Sequence, residues 1–181
     1  MKRIFILSCA LVLGSAMPAL AQKAIAEPLA RSAQGTFRNL LESAEKMPEA
    51  DYSFQATKET RTFAGFVGHT VNAAYAGCAR AKGEPNPNKE DFEKVAAKAK
   101  LVEAAKAVQA YCDAVFAAQT DASLAEMVPG GQTPVSRAQI LIGIISHNMN
   151  EYGQKVILMR LKGVVPPTTE RAQAPRKPGQ D

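Results

Sequence analysis

Apolar residues recur every three or four positions in four long stretches of the chain, which is the spacing of a buried helix face. The first stretch runs from about Glu27 to Met47, and its apolar positions are Leu29, Ala33, Phe37, Leu40, Leu41 and Ala44. Alternation of apolar and polar residues, the pattern of a strand, is rare. The pattern therefore predicts an all-α protein with four long helices.

Capping and helix-breaking residues set the expected limits of the other three helices. The breaker "GEPNPN", residues 83–88, separates the second helix from the third, and "SRAQ", residues 136–139, is a capping box for the fourth. The expected spans are Thr57 to Lys82, then Asn88 or Asp91 to Gln119, then Ser136 to Gly163. The long connection 120–135 has room for a short extended piece. Four amphipathic helices with loops of moderate length predict a four-helix bundle.

The first residues of the chain follow a different pattern. Lys2 and Arg3 precede a mostly apolar run, residues 4–13, and "ALA" at 19–21 is a small-x-small cleavage signal. The apolar run is too short for a membrane span, which needs about 20 apolar residues. The pattern therefore predicts a secretory signal peptide over residues 1–21. A lipoprotein acylated at Cys9 is the alternative, but Cys9 comes too early in the apolar run. We expect export across the inner membrane, a periplasmic location in a Gram-negative cell, and no membrane anchor after cleavage.

The remaining chain, about 160 residues, suits a single domain. We assign residues 22–165 to the bundle and residues 166–181, which are rich in proline and basic residues, to a disordered tail. Removing Lys2 and Arg3 from the 22 basic residues leaves 20 against 17 acidic residues, so the net charge falls from +5 to +3. The basic residues are scattered and form no stripe with aromatic residues, so we expect no nucleic-acid partner.

Two cysteines, Cys78 and Cys112, remain after signal-peptide removal. In an exported protein such a pair indicates one disulfide bond. Two buried free thiols are the alternative, because cysteine is among the residues most often buried. Nothing in the sequence marks either thiol as a nucleophile.

Three side chains able to bind a metal ion fall on inward positions of the predicted bundle. On the fourth helix, His147 and Glu151 share the stripe of Ile140 and Ile144, and on the second helix His69 shares a face with apolar residues. A single inward histidine is more often a hydrogen-bonded core residue, but a buried carboxylate requires an opposite charge or a metal. Two imidazoles and one carboxylate predict a divalent-metal site with open coordination positions. Asn72 and Asn148 lie beside the histidines and would either orient a ligand or simply pack.

Three segments of the chain resemble the DinB-like superfamily of metal-binding four-helix bundles, in particular its exported bacterial branch. They are "MPEADYSFQATKETRTF" at 47–63, "FAGFVGHTVNAAYAGCARAKGEPNP" at 63–87 and "SRAQILIGIISHNMNEYGQKVILMRLKGVVPP" at 136–167. The resemblance implies a metal held by three histidines, of which the first two correspond to His69 and His147. The third position is Glu151 in this chain. A carboxylate there makes a harder site, for zinc, nickel, iron or manganese, or marks a site that has lost its metal.

The resemblance leaves two functions open. The first is a metal-dependent hydrolase or transferase acting on a small molecule, with His69, His147 and Glu151 as ligands or with Glu151 as a general base. The second is a non-catalytic, degenerate bundle that serves as a binding or structural module. Relatives of this kind often dimerise, which makes a homodimer one candidate state, although no apolar surface stripe in the sequence supports it.

Overall fold

The computed structural model describes residues 23–175. Within them, six helices and one two-stranded ribbon follow in the order α1 Ala26–Lys46, α2 Phe63–Lys82, α3 Lys98–Ala117, α4 Asp121–Ala125, β1 Met127–Val128, β2 Val135–Ser136, α5 Arg137–Leu161 and α6 Pro167–Gln173. The four long helices α1, α2, α3 and α5 are those that the hydrophobic spacing predicts. None of the helices in this part of the chain is long and apolar enough to cross a bilayer.

The four long helices form a bundle in which α1 and α2 each pack against both α3 and α5. The consecutive helices α1 and α2 therefore lie largely across the bundle from one another, and the connection 47–62 crosses one end of the bundle. The shared core is built from fully buried side chains at helical spacing, among them Phe37, Leu40, Val67, Val71, Leu101, Val108 and Leu141. This arrangement places one face of α2 directly against α5.

The starts of the second and third helices differ from the expected positions. Helix α2 begins at Phe63, where the Thr62 side chain accepts a hydrogen bond from Gly65 N, whereas Thr57 belongs to a turn closed by Thr60. The expected third helix is divided in two. Asp91 caps a 3-10 turn, Phe92–Lys94, and α3 starts only at Lys98.

A disulfide bond joins Cys78 of α2 to Cys112 of α3, with an S–S distance of 2.13 Å. Both cysteines are fully buried, and their Cα atoms lie 5.7 Å apart. The bond links the two helices at the half of α2 that follows His69. The disulfide bond that the sequence predicts therefore lies in the core, where α2 and α3 meet.

The disorder expected for residues 166–181 is wrong for residues 167–173, which form helix α6. Arg171 of α6 contacts Glu42 and Asn39 of α1, and Glu170 pairs with Lys46 at 2.7 Å. The composition of this segment indicated a solvated tail. The ion pairs that hold α6 join segments that are far apart in sequence, so composition could not reveal them. Residues 176–181 and the expected signal peptide, 1–21, lie outside the described residues.

Candidate metal centre

His69 on α2 and His147 on α5 face each other across the contact between the two helices. Their Nε2 atoms lie 3.1 Å apart, and His147 Nε2 lies 3.8 Å from Glu151 Oε1, one turn further along α5. One ligand atom from each of the three residues lies within 4.8 Å of the others. The structure thus brings together the three side chains that the helical register predicts.

The separations suit a single shared ion. Nitrogen and oxygen ligands lie about 2.0–2.2 Å from zinc, so two of them on one ion lie roughly 3–4 Å apart at tetrahedral angles. Two lone pairs from neutral imidazoles cannot face each other at 3.1 Å without a proton or a cation between them. The donor set therefore fits a divalent cation that takes two imidazoles and one carboxylate.

Glu151 gives a second indication that the three residues suit a metal ion. Its side chain is only 8 % exposed, and within residues 23–175 its Oε2 atom is buried without a hydrogen-bond partner. A buried carboxylate oxygen without a partner is costly, and a metal ion would satisfy it. The His69 and His147 side chains are 24 % and 33 % exposed, so the candidate centre is open to solvent on the side of the imidazoles.

Glu93, which the sequence did not point to, orients His69. His69 Nδ1 lies 2.6 Å from Glu93 Oε1. Since a carboxylate can only accept, Nδ1 carries the proton and Nε2 is left with its lone pair toward His147. Burial would raise the pKa of Glu93, but the hydrogen bonds from His69 and Arg61 outweigh burial and lower it. A carboxylate on the outer nitrogen of a metal-binding histidine is the usual supporting arrangement in metal sites.

Gly68 allows Glu93 to reach His69. A Cβ atom at position 68 would lie 2.1 Å from the carbonyl oxygen of Phe92, so only glycine lets the turn Phe92–Lys94 pass this close to α2. Asn72 holds the same segment, because its side-chain oxygen accepts from Phe92 N and its amide donates to Asp91. Asn72 therefore positions Glu93 from a distance and does not contact the candidate centre.

Asn148 packs in the core beside His147. It is 2 % exposed and donates a hydrogen bond of 3.3 Å to Thr36 of α1. His147 beside it is partly buried, and this burial lowers its pKa despite the opposing effect of Glu151. A lower pKa favours the neutral imidazole, which is the form that binds metals.

Lys155 lies one turn beyond Glu151 on α5 and is fully buried. Its Nζ donates a hydrogen bond of 2.9 Å to the Thr70 hydroxyl. Burial lowers the pKa of Lys155 to about 7, and the carboxylate of Glu151 offsets only part of that effect. When Lys155 is protonated, it gives Glu151 a nearby positive charge.

The low pKa of Lys155 predicts that the metal-free protein becomes more stable as the pH rises above 7. The unfolded chain keeps the proton on this lysine up to a pKa of about 10.5, whereas the folded protein loses it near 7. In that window the unfolded state binds more protons, so the free energy of unfolding should rise by about 2–3 kcal/mol from pH 7 to pH 9. Urea denaturation at both pH values measures the rise. Lys155→Met should remove most of it, and an equal rise in both proteins would contradict the assignment.

The fold is shared with two crystal structures of DinB-like proteins. One, from Bacillus cereus ATCC 10987, superposes with a TM-score of 0.69 at 16% sequence identity and covers 78% of this chain and 95% of its own. The other, YjoA from Bacillus subtilis, has a TM-score of 0.62 at 18% identity and covers 75% and 92%. Sequence identities this low show that the fold is shared and support no conclusion about function. No curated protein sequence is significantly similar to this chain.

The sequence itself matches a family model. The model of the DinB superfamily aligns with residues 33–154, which include most of α1 and the whole of α2 and α3. The matched range also contains His69, His147 and Glu151. The chain belongs to the DinB superfamily.

Proposed function

We propose that this protein binds one divalent metal ion through His69 Nε2, His147 Nε2 and the Glu151 carboxylate. The observation that carries the proposal is the convergence of one atom from each of the three residues, together with the second oxygen of Glu151, Oε2, which is buried and has no hydrogen-bond partner among residues 23–175. The hydrogen bond from His69 to Glu93 adds support, because it fixes the ring with Nε2 toward the centre.

We further propose that the centre serves a hydrolytic or group-transfer reaction on a small molecule. When bound in such a site, zinc, nickel, iron or manganese supplies Lewis-acid activation of a water molecule or a substrate thiol. The residues of this chain support the ligand geometry: Glu93 keeps His69 in one tautomer, and burial lowers the pKa of His147 and so favours its neutral form. The partial exposure of both imidazoles leaves room for a substrate beside them.

A second candidate function rests on Lys155. When it is protonated, this buried lysine gives Glu151 an opposite charge from within the protein, and the carboxylate then does not depend on a metal for compensation. A metal-free bundle acting as a binding or structural module is therefore the competing proposal. It predicts a stable protein that takes up no metal.

A metal titration of the protein lacking residues 1–21 separates the two. The apo-protein, prepared with a chelator, should bind close to one equivalent of one of the four ions in competition with a chromophoric chelator. Glu93→Gln should weaken binding by about 10–100-fold, which is the usual effect of removing a carboxylate behind a ligating histidine. Glu90→Gln, on the same segment, is the control and should bind as the wild type does. A wild-type protein that stays metal-free would refute the first function.

Export to the periplasm is also a proposal. The pattern of residues 1–21 supports it, and so does the disulfide bond between Cys78 and Cys112, because such bonds persist in oxidising compartments. Fractionation of cells that produce the full chain should find the protein in the periplasm, shortened by about 21 residues according to the cleavage signal. A full-length cytoplasmic product would contradict it.

A further inference from the structure

A groove between α2 and α5 leads away from the candidate centre. It has a volume of about 490 Å³, which falls within the range of small-molecule sites, roughly 300–1,000 Å³. His147 lines one end, Ala76, Gly77 and Ile144 line its middle, and Arg80 and Gln139 line it further along the helices. The groove is therefore apolar along its length and polar at both ends.

The two helices run in opposite directions here, which places Arg80 and Gln139 together. His69 faces His147, a Cβ at Gly77 would touch Ile144, and Arg137 Nε donates to the carbonyl of Ala81. Positions that increase along α2 thus meet positions that decrease along α5. Gln139 lies eight residues before His147, or about 12 Å along the helix axis at 1.5 Å per residue.

Arg80 has no partner of its own among residues 23–175. No carboxylate in that range lies within 4.0 Å of its guanidinium, and its side chain makes no hydrogen bond there. Most other arginines of the described chain are engaged, for example Arg61 with Glu93 and Arg137 with Glu126. A free guanidinium beside an amide is suited to a carboxylate, which it can bind through two parallel hydrogen bonds.

We propose that this groove binds an elongated organic acid, with its carboxylate on Arg80 and its other end at His147. This inference rests on the proposed function for the reacting end, because the group at His147 would be the one that meets the metal. The apolar middle of the groove then accommodates a hydrocarbon segment and excludes a second charge. The substrate class is a small carboxylic acid whose reactive group is separated from the carboxylate by roughly 12 Å.

Two eight-carbon hydroxamates test the inference on the metal-loaded protein. One ends in a carboxylate and the other in a methyl group, and both carry the metal-binding hydroxamate. Calorimetry should show that the carboxylate compound binds about tenfold tighter, as expected for one charge-assisted contact at a partly exposed site. Arg80→Met should make the two compounds equal. Equal affinities for the wild-type protein, or an unchanged preference in Arg80→Met, would overturn the proposal.

Gly143 offers a second variant that blocks the groove without disturbing the core. A Cβ at this lining position meets no atom within 4 Å, so a methionine side chain can extend into the groove. Gly143→Met should weaken both compounds at least tenfold. Gly153→Met is the matched control, since position 153 on the same helix is also open but does not line the groove. Unchanged binding in Gly143→Met, or an equal loss in Gly153→Met, would overturn the proposal.

The same groove can be tested without a metal, which keeps this inference separate from the proposed function. Octanoate should bind the metal-free protein more tightly than octylamine does, and Arg80→Met should remove the difference. If no metal is taken up but octanoate still binds through Arg80, the metal proposal fails and the groove proposal stands. If metal binds but octanoate shows no dependence on Arg80, the groove proposal fails alone.

Discussion

Replacing His147 with alanine is expected to abolish stoichiometric metal binding. His147 Nε2 is the nitrogen closest to both other proposed ligands, at 3.1 Å from His69 Nε2 and 3.8 Å from Glu151 Oε1. Loss of a group behind a ligand costs about 10–100-fold in affinity, so loss of the ligand itself should cost more than about 100-fold. The competition titration described above measures the change. Asn150→Ala, an exposed position on the same helix, is the control and should bind normally.

Glu151→Gln then distinguishes a ligand from a general base. The amide has the shape of the carboxylate but is a poorer metal ligand, because it carries no charge. If Glu151 is a ligand, metal affinity should fall at least tenfold, and the ability of the metal to raise the unfolding temperature should fall with it. Unchanged affinity would assign Glu151 a role other than ligation. Circular dichroism of each variant confirms that a loss of binding does not reflect unfolding.

Removal of the disulfide bond is expected to have the largest effect on stability. Cys78 and Cys112 are separated by 34 positions, and a bond that closes such a loop stabilises a protein by about 3–4 kcal/mol through the entropy of the unfolded chain. Replacing both cysteines with alanine should lower the free energy of unfolding by that amount in urea denaturation. This loss is a large part of the total free energy of unfolding, which is typically about 5–15 kcal/mol for a single domain.

Two controls belong to this experiment. A reducing agent should destabilise the wild-type protein to a similar extent and leave the double variant unchanged. In addition, thiol titration of the denatured, unreduced protein without residues 1–21 should find no free thiol. Two free thiols, together with wild-type stability in the double variant, would contradict the bond.

The long helices could be predicted because their burial is periodic along the sequence itself. Phe37 and Leu40 of α1, for example, are fully buried, as their spacing requires. The start of α2 was harder to locate, since Thr57 and Thr62 are equally good capping residues. Tertiary hydrogen bonds decide between them: Phe63 N and Ala64 N donate to the carbonyls of Phe54 and Tyr52, which fold the preceding segment back over the helix start. Such contacts leave no local pattern.

The candidate site was only partly predictable for the same reason. His69, His147 and Glu151 follow from helical register, and Lys155 lies on the same stripe between Glu151 and Leu158, so its burial had a signal in the sequence. Glu93 had none, because it lies in the 3-10 turn Phe92–Lys94, where the apolar spacing predicted the first turn of the third helix. Its position depends on the path of that turn over α2, which the spacing of apolar residues does not encode.

The close approach of Phe92 to Gly68 has a consequence for how the site can vary. Residue 68 has no side chain, yet the space it leaves empty decides whether Glu93 can reach His69. The strength of the proposed metal binding is therefore linked to the space available at a position that carries no side chain. A single methyl group at that position would push back the turn, free the His69 ring and loosen the candidate centre without changing any of the three residues proposed as ligands.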